Sequence, residues 1–219
     1  MRNPRRIPLA LVLCVMASAP LLAQVETFLM DKPHSQVTFR IRHVVSMVEG
    51  RFNDFDAKLW LDRANPSKSK VEFTIQAGSI TTNHENRDKH LRSADFFDTE
   101  KYPTITFVST KIEPKGNDTY DVTGDFTMRG VKKILKFAVR HGGFARVGKS
   151  DKTGFDLAMR LNRKDFNINW NRAIDQGRWL LGDDVDILIG IEANKEKPAE
   201  TPAEQPAERP AAPAPSPGS

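Results

Sequence analysis

The sequence predicts an all-β protein formed by an antiparallel sheet of about eight strands, with one short helical insertion. Three observations predict this class: eight segments in which apolar and polar residues alternate, turn-forming sequences between them, and one charged stretch, Thr81–Phe107, that interrupts the alternation. Successive side chains of a strand point to opposite faces, so each segment has one apolar and one polar face. Such segments at short intervals are typical of a β-sandwich or a β-barrel.

The alternating segments follow one another from Val37 to Ile191. A further strand is expected over Val25–Met30, and Val44–Met47 has a helical pattern. The apolar positions of the eight segments are Val37, Phe39 and Ile41; Phe55, Ala57, Leu59 and Leu61; Val71, Phe73, Ile75 and Ala77; Ile105 and Phe107; Val122, Gly124, Phe126 and Met128; Leu135, Phe137 and Val139; Phe155, Leu157, Met159 and Leu161; and Val185, Ile187, Ile189 and Ile191. The turn-forming sequences include Asn65-Pro66, Arg129-Gly130 and Gly142-Gly143.

The interrupting stretch combines charged, histidine and aromatic residues. A short helix is predicted over Asn86–Arg92, followed by an aromatic turn at Phe96-Phe97. Proline restricts the residue before it to extended conformations, so Tyr102, which precedes Pro103, ends any helix and leads into the next strand. We therefore expect this stretch to close one end of a barrel.

Residues 1–23 have the pattern of a cleavable export signal. Three arginines precede a short apolar run, Ile7–Met16, and small residues follow up to the favoured cleavage site after Ala23. The run is too short to span a membrane. The single cysteine, Cys14, lies within it, so we expect a mature chain without a thiol, which excludes disulfides, thiolate metal sites and cysteine nucleophiles.

Residues 24–194 have the length of one domain, and residues 195–219 form a Pro/Ala/Glu-rich tail. The tail contains half of the fourteen prolines and is predicted to be disordered. The formal charge of +5 falls to +2 once the three signal arginines are removed. Because the remaining basic residues are interspersed with acidic ones, nucleic-acid binding is not predicted.

Several motifs follow one another in order within residues 24–194. They are Asp31–Ser35 followed by Val37-x-Phe39-x-Ile41-x-His43; Gly50-x-Phe52-x-x-Phe55; Arg87-Asp88-x-His90-Leu91-Arg92-Ser93; Tyr102-Pro103-x-Ile105-x-Phe107; Gly124–Val131; and Gly182–Val185. In this order the motifs resemble the YceI-like family. The resemblance covers essentially the whole domain, and one departure is Asn167, where the family often has glycine.

The resemblance implies a lipocalin-like antiparallel β-barrel, exported to the periplasm, that encloses a long apolar ligand. The implied ligand is a polyisoprenoid, such as a prenylated quinone or a polyprenyl phosphate, or a related amphiphilic lipid. Pattern alone favours a packed core for the inward phenylalanines, whereas the resemblance favours a cavity. The predicted cavity-lining residues are Phe39, Phe55, Phe73, Phe107, Phe126, Phe137 and Phe155.

Four polar or amphipathic residues are candidates for the cavity mouth and for contacts with a lipid headgroup: Arg87, His90, Trp170 and Trp179. For the charged stretch as a whole, a structural role is favoured over headgroup contact and over catalysis. It lacks the spacing of a zinc protease, and the chain lacks a nucleophile elbow, so no catalytic residue or metal ligand is predicted.

The main hypothesis is therefore a periplasmic lipid-binding protein without enzymatic activity and with no cofactor besides the bound lipid. Two alternatives stay open at this point: an accessory enzyme or redox partner acting on a bound quinone or isoprenoid, and a structural envelope protein. A transient membrane contact and a homodimer are open as well.

Overall fold

The alternating segments are strands in the computed structural model, which describes residues 25–174 and 177–197. The predicted signal peptide lies outside the described residues, as does the predicted tail beyond residue 197. The strands are β1 (Val25–Met30), β2 (Gln36–His43), β3 (Ser46–Phe52), β4 (Phe55–Asp62), β5 (Lys70–Gln76), β6 (Ile80–Thr81), β7 (Thr104–Gly116), β8 (Thr119–Met128), β9 (Val131–Val147), β10 (Ser150–Asn162) and β11 (Leu181–Lys195).

The strands close into an eight-stranded antiparallel barrel, which confirms the predicted fold class. The ring runs β1–β4–β5–β7–β8–β9–β10–β11, and β11 pairs back onto β1. Strand β11 also pairs with β2, which pairs with β3, and β3 pairs with β6. Because closure leaves no unpaired strand edge in the ring, the wall is continuous where these eight strands meet.

In the first part of the chain, the strands that form the barrel wall are interrupted. β1 and β2 both lie along β11, and a 3-10 turn at Lys32–His34 separates them. At this break the backbone N–H of Glu192 has no strand partner on β1 or β2 and donates instead to Ser35 Oγ, at 3.0 Å. The break lets β1 pair with β4 while β2 pairs with β3, so two short strands occupy one position of the wall.

One local prediction is wrong and another is confirmed. Val44–Met47 is not helical: Val44 and Val45 form the turn of the β2–β3 hairpin, and β3 begins at Ser46. Periodicity cannot separate helix from strand over so short an apolar run. The strand expected over Val25–Met30 is β1.

The predicted helix is α1 (Glu85–Arg92), and His84 caps its N-terminus by accepting a hydrogen bond from Arg87 N at Nδ1. No helix among residues 25–174 and 177–197 is long and apolar enough to cross a lipid bilayer.

Asn167, which stands where the YceI-like family often has glycine, preserves the local turn. It has a left-handed conformation with φ 60° and ψ 21°, which asparagine tolerates better than most residues.

Two glycines on the inner wall make room for phenylalanine rings. Gly50 lies opposite Phe39 in the β2–β3 ladder, and Gly124 lies beside Phe107 in the β7–β8 region. A Cβ on Gly124 would lie 2.5 Å from Phe107 Cζ and would overlap the carbonyl oxygen of Val108. These rings therefore lie against the wall over the glycines rather than across the centre of the barrel.

We predict that Gly124→Ala destabilises the fold by about 1–3 kcal/mol, the usual cost of overpacking a well-packed interior. The added methyl group meets backbone as well as a ring, so neither neighbour can yield easily. Urea denaturation measures the change. Gly78→Ala is the matched control, because a Cβ there has no neighbour within 4 Å. Equal stability of the two variants would contradict this account of Gly124.

Candidate functional site

The barrel encloses a cavity of about 240 Å³. Its lining includes residues from both ends of β8, Tyr120 and Met128, so the cavity runs along the barrel rather than across it. At one end lie Arg63 and Phe144, and at the other lies Phe97, which follows α1. Most of the lining is aliphatic or aromatic, because the inward phase of nearly every strand is apolar.

Six of the seven predicted phenylalanines line this cavity. Phe55 does not: it is buried within the wall and packs against Phe73, with ring centroids 6.3 Å apart. Whether the six rings contact a lipid stays a prediction at this point. The six are Phe39, Phe73, Phe107, Phe126, Phe137 and Phe155.

None of the four predicted mouth residues belongs to the cavity lining. The Arg87 guanidinium is bound to Thr82, with Nε donating to Oγ1 at 2.7 Å and Nη2 to the carbonyl oxygen at 3.0 Å. Trp179 is 62% exposed and forms an isolated β-bridge with Ala173. The Arg87 guanidinium is thus occupied by Thr82, and the Trp179 side chain is largely exposed to solvent.

His90 and Trp170 lie in a cluster that covers the α1 end of the barrel. The His90 ring packs edge-on against Phe96 and Trp170, with centroids 5.0 and 4.9 Å away, and its Nε2 lies 2.8 Å from Asp95 Oδ2. Phe96 is buried between this cluster and the core. The geometry therefore assigns His90 and Trp170 to the closure of this end.

Hydrogen bonds fasten α1 to the neighbouring strand β6. The buried carboxylate of Asp88 accepts from Thr82 N at 2.8 Å and from the hydroxyls of Thr81 and Thr82. Burial alone would raise the pKa of Asp88, but these hydrogen bonds outweigh it and lower the pKa. Arg92 donates to the carbonyl oxygens of Gly78 and Ile80. The charged stretch thus has the contacts of a structural cap.

A buried arginine completes the closure at this end. Arg163 is 3% exposed and donates to the carbonyl oxygens of Gly182, Ile168 and Trp170 at 2.7–2.8 Å. Its Nη2 also binds Asp183 Oδ1 at 3.0 Å. Burial lowers the pKa of Arg163, and the nearby Asp183 opposes that effect.

The opposite end contains the polar cavity residues that sequence reasoning missed. Asp62, Arg63, Ser69, Tyr120 and His141 all line it. A signal was available for His141, since it continues the inward phase of Leu135, Phe137 and Val139 on β9. Tyr120 offers the same signal, because it continues the inward phase of Val122 and Phe126 on β8. The other three lie at a strand end or in a loop, where period-two alternation no longer assigns a face.

His141 has a defined hydrogen-bonding state. Its Nε2 lies 2.8 Å from Thr153 Oγ1, and the Thr153 hydroxyl donates to Gly143 O at 3.0 Å, so Nε2 is the donor. The ring stacks on Phe155 at 4.9 Å and meets the edge of Phe144 at 4.8 Å. Burial lowers the pKa of His141, although Asp118 and Gly143 O oppose this, and the imidazole is neutral at pH 7.

We predict that His141 titrates below its ordinary value of 6.5 in the folded protein. As the pH falls through 6.5, the unfolded chain takes up this proton before the folded one, so the free energy of unfolding decreases. NMR titration of the imidazole measures the pKa directly. Denaturation of wild type and His141→Gln over pH 5–8 should show a weaker pH dependence in the variant. An imidazole titrating at or above 6.5 would contradict this prediction.

Arg63 spans the cavity opening. Its Nε binds Glu26 at 2.5 Å, its Nη2 lies 3.7 Å from Asp151, and its guanidinium lies 4.1 Å from the Phe144 ring centroid. Phe144 both lines the cavity and is 39% exposed. The cavity therefore approaches solvent at Arg63 and Phe144.

One group among the described residues has the composition of a metal site. Ligand atoms of Asp31, His34 and Glu192 lie within 4.8 Å of one another. However, the Lys152 ammonium already binds both carboxylates, Asp31 at 3.0 Å and Glu192 at 2.5 Å, so a cation lies where a metal ion would bind. This group is an ion-pair network on the break between β1 and β2.

The hydrogen bond from Lys152, with further ones from His34 and Asn194, lowers the pKa of Asp31 from 3.8 to about 2. This ionised state stabilises the fold by about 2 kcal/mol. The contribution is complete above pH 3.8 and is lost as the pH falls to 2. We predict that Asp31→Asn reduces stability at pH 6 by this amount, and that the difference from wild type shrinks towards pH 2.

Urea denaturation at a series of pH values measures the effect of Asp31→Asn. Asp156→Asn is the control, since its ion pair with Arg140 is exposed on both sides and contributes at most about 1 kcal/mol. A difference between wild type and Asp31→Asn that does not change with pH would contradict the assignment.

Comparison with known proteins places the barrel in a family. Residues 28–193 match the YceI-like domain. Protein YceI of Escherichia coli O157:H7 is 39% identical over 171 residues, covering 75% of this chain and 83% of that protein. The crystal structure of the Campylobacter jejuni YceI protein has a TM-score of 0.63 and 34% identity, covering 77% of this chain and 97% of that one.

A polyisoprenoid binding domain from Saccharophagus degradans shares the fold with a TM-score of 0.59, at 13% identity, covering 79% of this chain and all of that one. The eight-stranded closure agrees with these likenesses in fold. The match to the family domain covers nearly all of the barrel, so the chain belongs to the YceI-like family.

Proposed function

We propose that this protein binds one long-chain isoprenoid-type lipid inside the barrel and carries or sequesters it in the periplasm, without catalysing a reaction. The observation that carries the proposal is the enclosed, largely apolar cavity that runs along the barrel. An apolar chain gains roughly 0.8 kcal/mol for each CH₂ group removed from water, so such a cavity can hold a lipid with few polar contacts.

The dimensions of the cavity favour a slender occupant. Its volume of about 240 Å³ is below the ~300–1,000 Å³ of sites for drug-sized ligands. Its length favours an extended chain over a compact ring system. The polyisoprenoid binding domain from Saccharophagus degradans shares the fold, which makes polyisoprenoids the first ligand class to test. The periplasmic location is proposed from the pattern of residues 1–23.

We propose that the protein is not catalytic because of the hydrogen bonds and positions of its candidate acid–base groups, Asp88, His90 and His141. The oxygens of Asp88 accept hydrogen bonds from Thr81 and Thr82, and His90 lies outside the cavity. His141 lines the cavity with Nε2 donating to Thr153 Oγ1, so the lone pair at Nδ1 is its remaining basic site. Among the described residues, no carboxylate hydrogen-bonds this imidazole to orient it as a general base. No observation favours the accessory-enzyme alternative over binding.

The test is lipid recovery from protein purified from its native host. We expect solvent extraction and mass spectrometry to find close to one isoprenoid-type lipid per protein. Leu157→Trp fills the cavity from β10 and should reduce recovered lipid at least tenfold. Ala158→Trp is the matched control, since the neighbouring side chain is exposed on the outer wall and should leave recovery unchanged.

Circular dichroism establishes that the variants fold, and Ile187→Phe offers a milder filling of the same cavity. Wild-type protein that repeatedly contains no lipid would contradict the proposal. So would Leu157→Trp and Ile187→Phe variants that fold and retain wild-type amounts of lipid.

A further inference from the structure

A group of exposed apolar residues lies outside the cavity lining, near the start of β11 at the α1 end of the barrel. Val45 is 79% exposed in the turn between β2 and β3, and Trp179 is 62% exposed in the loop before β11. The two are neighbours, because Val44 N donates to Leu180 O at 3.0 Å and each is the next residue beyond that bond. Val44 and Met47 are also more than a third exposed. Together, Val44, Val45, Met47 and Trp179 form the tip surface.

The turn that presents these side chains has an unfavourable residue at its first position. Val44 has φ 51°, in the left-handed region. In two-residue hairpin turns such a position is usually glycine, asparagine or aspartate, and a β-branched residue there is strained. Strain of this kind is concentrated at sites with a function. The turn therefore points to a contact that uses its exposed apolar side chains.

Arginines surround the tip surface. Arg42 precedes the β2–β3 turn, and its Nη1 donates to Val45 O at 3.2 Å. Arg172 and Arg178 lie on either side of the turn in the loop that contains Trp179. All three arginines are exposed, and none of them forms an ion pair with a carboxylate of the described residues.

Acidic residues do not cancel the charge of these segments. Residues 42–48 and 171–180 contain three arginines and one acidic residue, Asp175, so their net charge is +2. Two carboxylates further along the same strands have cationic partners: Glu49 lies 4.0 Å from Arg40, and Asp183 lies 2.8 Å from Lys164. The tip surface therefore combines apolar side chains with an excess of positive charge.

The opposite end of the barrel differs in how its arginines are paired. It also exposes an apolar residue, Val147, which is 57% exposed at the end of β9. However, Arg63 contacts Glu26 and Asp151, and Arg146 binds Asp151 at 3.3 Å. Charge complementarity to an anionic surface is therefore greater at the tip surface.

We propose that the tip surface docks on an anionic lipid bilayer, with Trp179 and Val45 among the headgroups and upper acyl chains and the arginines beside lipid phosphates. Tryptophan is enriched at membrane interfaces, because its ring is apolar and its indole N–H bonds to the polar region. Arginine binds phosphate oxygens in a forked geometry. A protein partner fits less well, because the tip surface is small and convex, whereas stable protein interfaces take ~20–30 residues from each side.

Vesicle flotation of the mature chain tests docking directly. The probes are vesicles of phosphatidylcholine alone and of equal parts phosphatidylcholine and phosphatidylglycerol, both at low ionic strength. Binding to the anionic vesicles should be roughly tenfold stronger, because each arginine near the surface is attracted to the lipid phosphates. The preference should disappear in high salt, which screens these charges.

Matched variants locate the contact. Val45→Asp and Trp179→Ala should each weaken binding to anionic vesicles about tenfold, because they remove apolar area from the interface. Arg178→Glu should weaken it about tenfold as well, because it reverses one charge. Val147→Asp and Lys149→Glu make the corresponding changes at exposed positions of the opposite end and should leave binding unchanged. Circular dichroism establishes that each variant folds.

Binding that is equal for neutral and anionic vesicles, or absent from both, overturns the proposal. So does loss of binding in Val147→Asp or Lys149→Glu but not in Val45→Asp, which would place the contact at the cavity opening. If Trp179→Ala separates a dimer in sedimentation while vesicle binding keeps its wild-type strength, the tip surface is instead a contact between copies of this chain. Because the tip surface does not line the cavity, lipid recovery tests the proposed function separately.

Discussion

The double pairing of β11 is the constraint on which the rest of the structure depends. This strand, Leu181–Lys195, pairs with β2 along most of its length and with β1 near its end. These two pairings join the last strand to the first part of the chain and close the barrel, and the break at Lys32–His34 lets β1 and β2 share this position. The Asp31–Lys152–Glu192 network lies at that break. Its ion pairs therefore stabilise the place where β1 and β2 meet β11 and the barrel closes.

Closure alone does not create a cavity. The interior of an eight-stranded barrel is just wide enough either to be filled by side chains or to hold one small ligand. The difference here lies in how the aromatic rings pack. Phe39 lies over Gly50 and Phe107 lies beside Gly124, so large side chains cover the wall without crossing the centre. Small residues on the inner face therefore help to keep the cavity open.

The wall was largely predictable from sequence, because period-two alternation assigns a face to every residue inside a strand. It predicted the inward phase of the six phenylalanines that line the cavity, but the cavity itself was expected only from the family resemblance, and Phe55 belongs to the wall. For residues outside strands, the sequence pattern does not assign a face. Arg87 was predicted at the mouth from its charge, yet its partner Thr82 is a tertiary contact that no local pattern encodes. His141 followed the strand phase and was predictable in principle.

The two ends of the barrel differ in how strongly they are closed. At the α1 end, opening would strip the buried Arg163 of its carbonyl partners, and hydrogen bonds to a charged group contribute roughly 1.5–3 kcal/mol each. At the other end, the pairs of Arg63 with Glu26 and Asp151 are partly exposed, and such pairs contribute at most about 1 kcal/mol each. Movement of Arg63 and Phe144 is thus the less costly way to open the cavity.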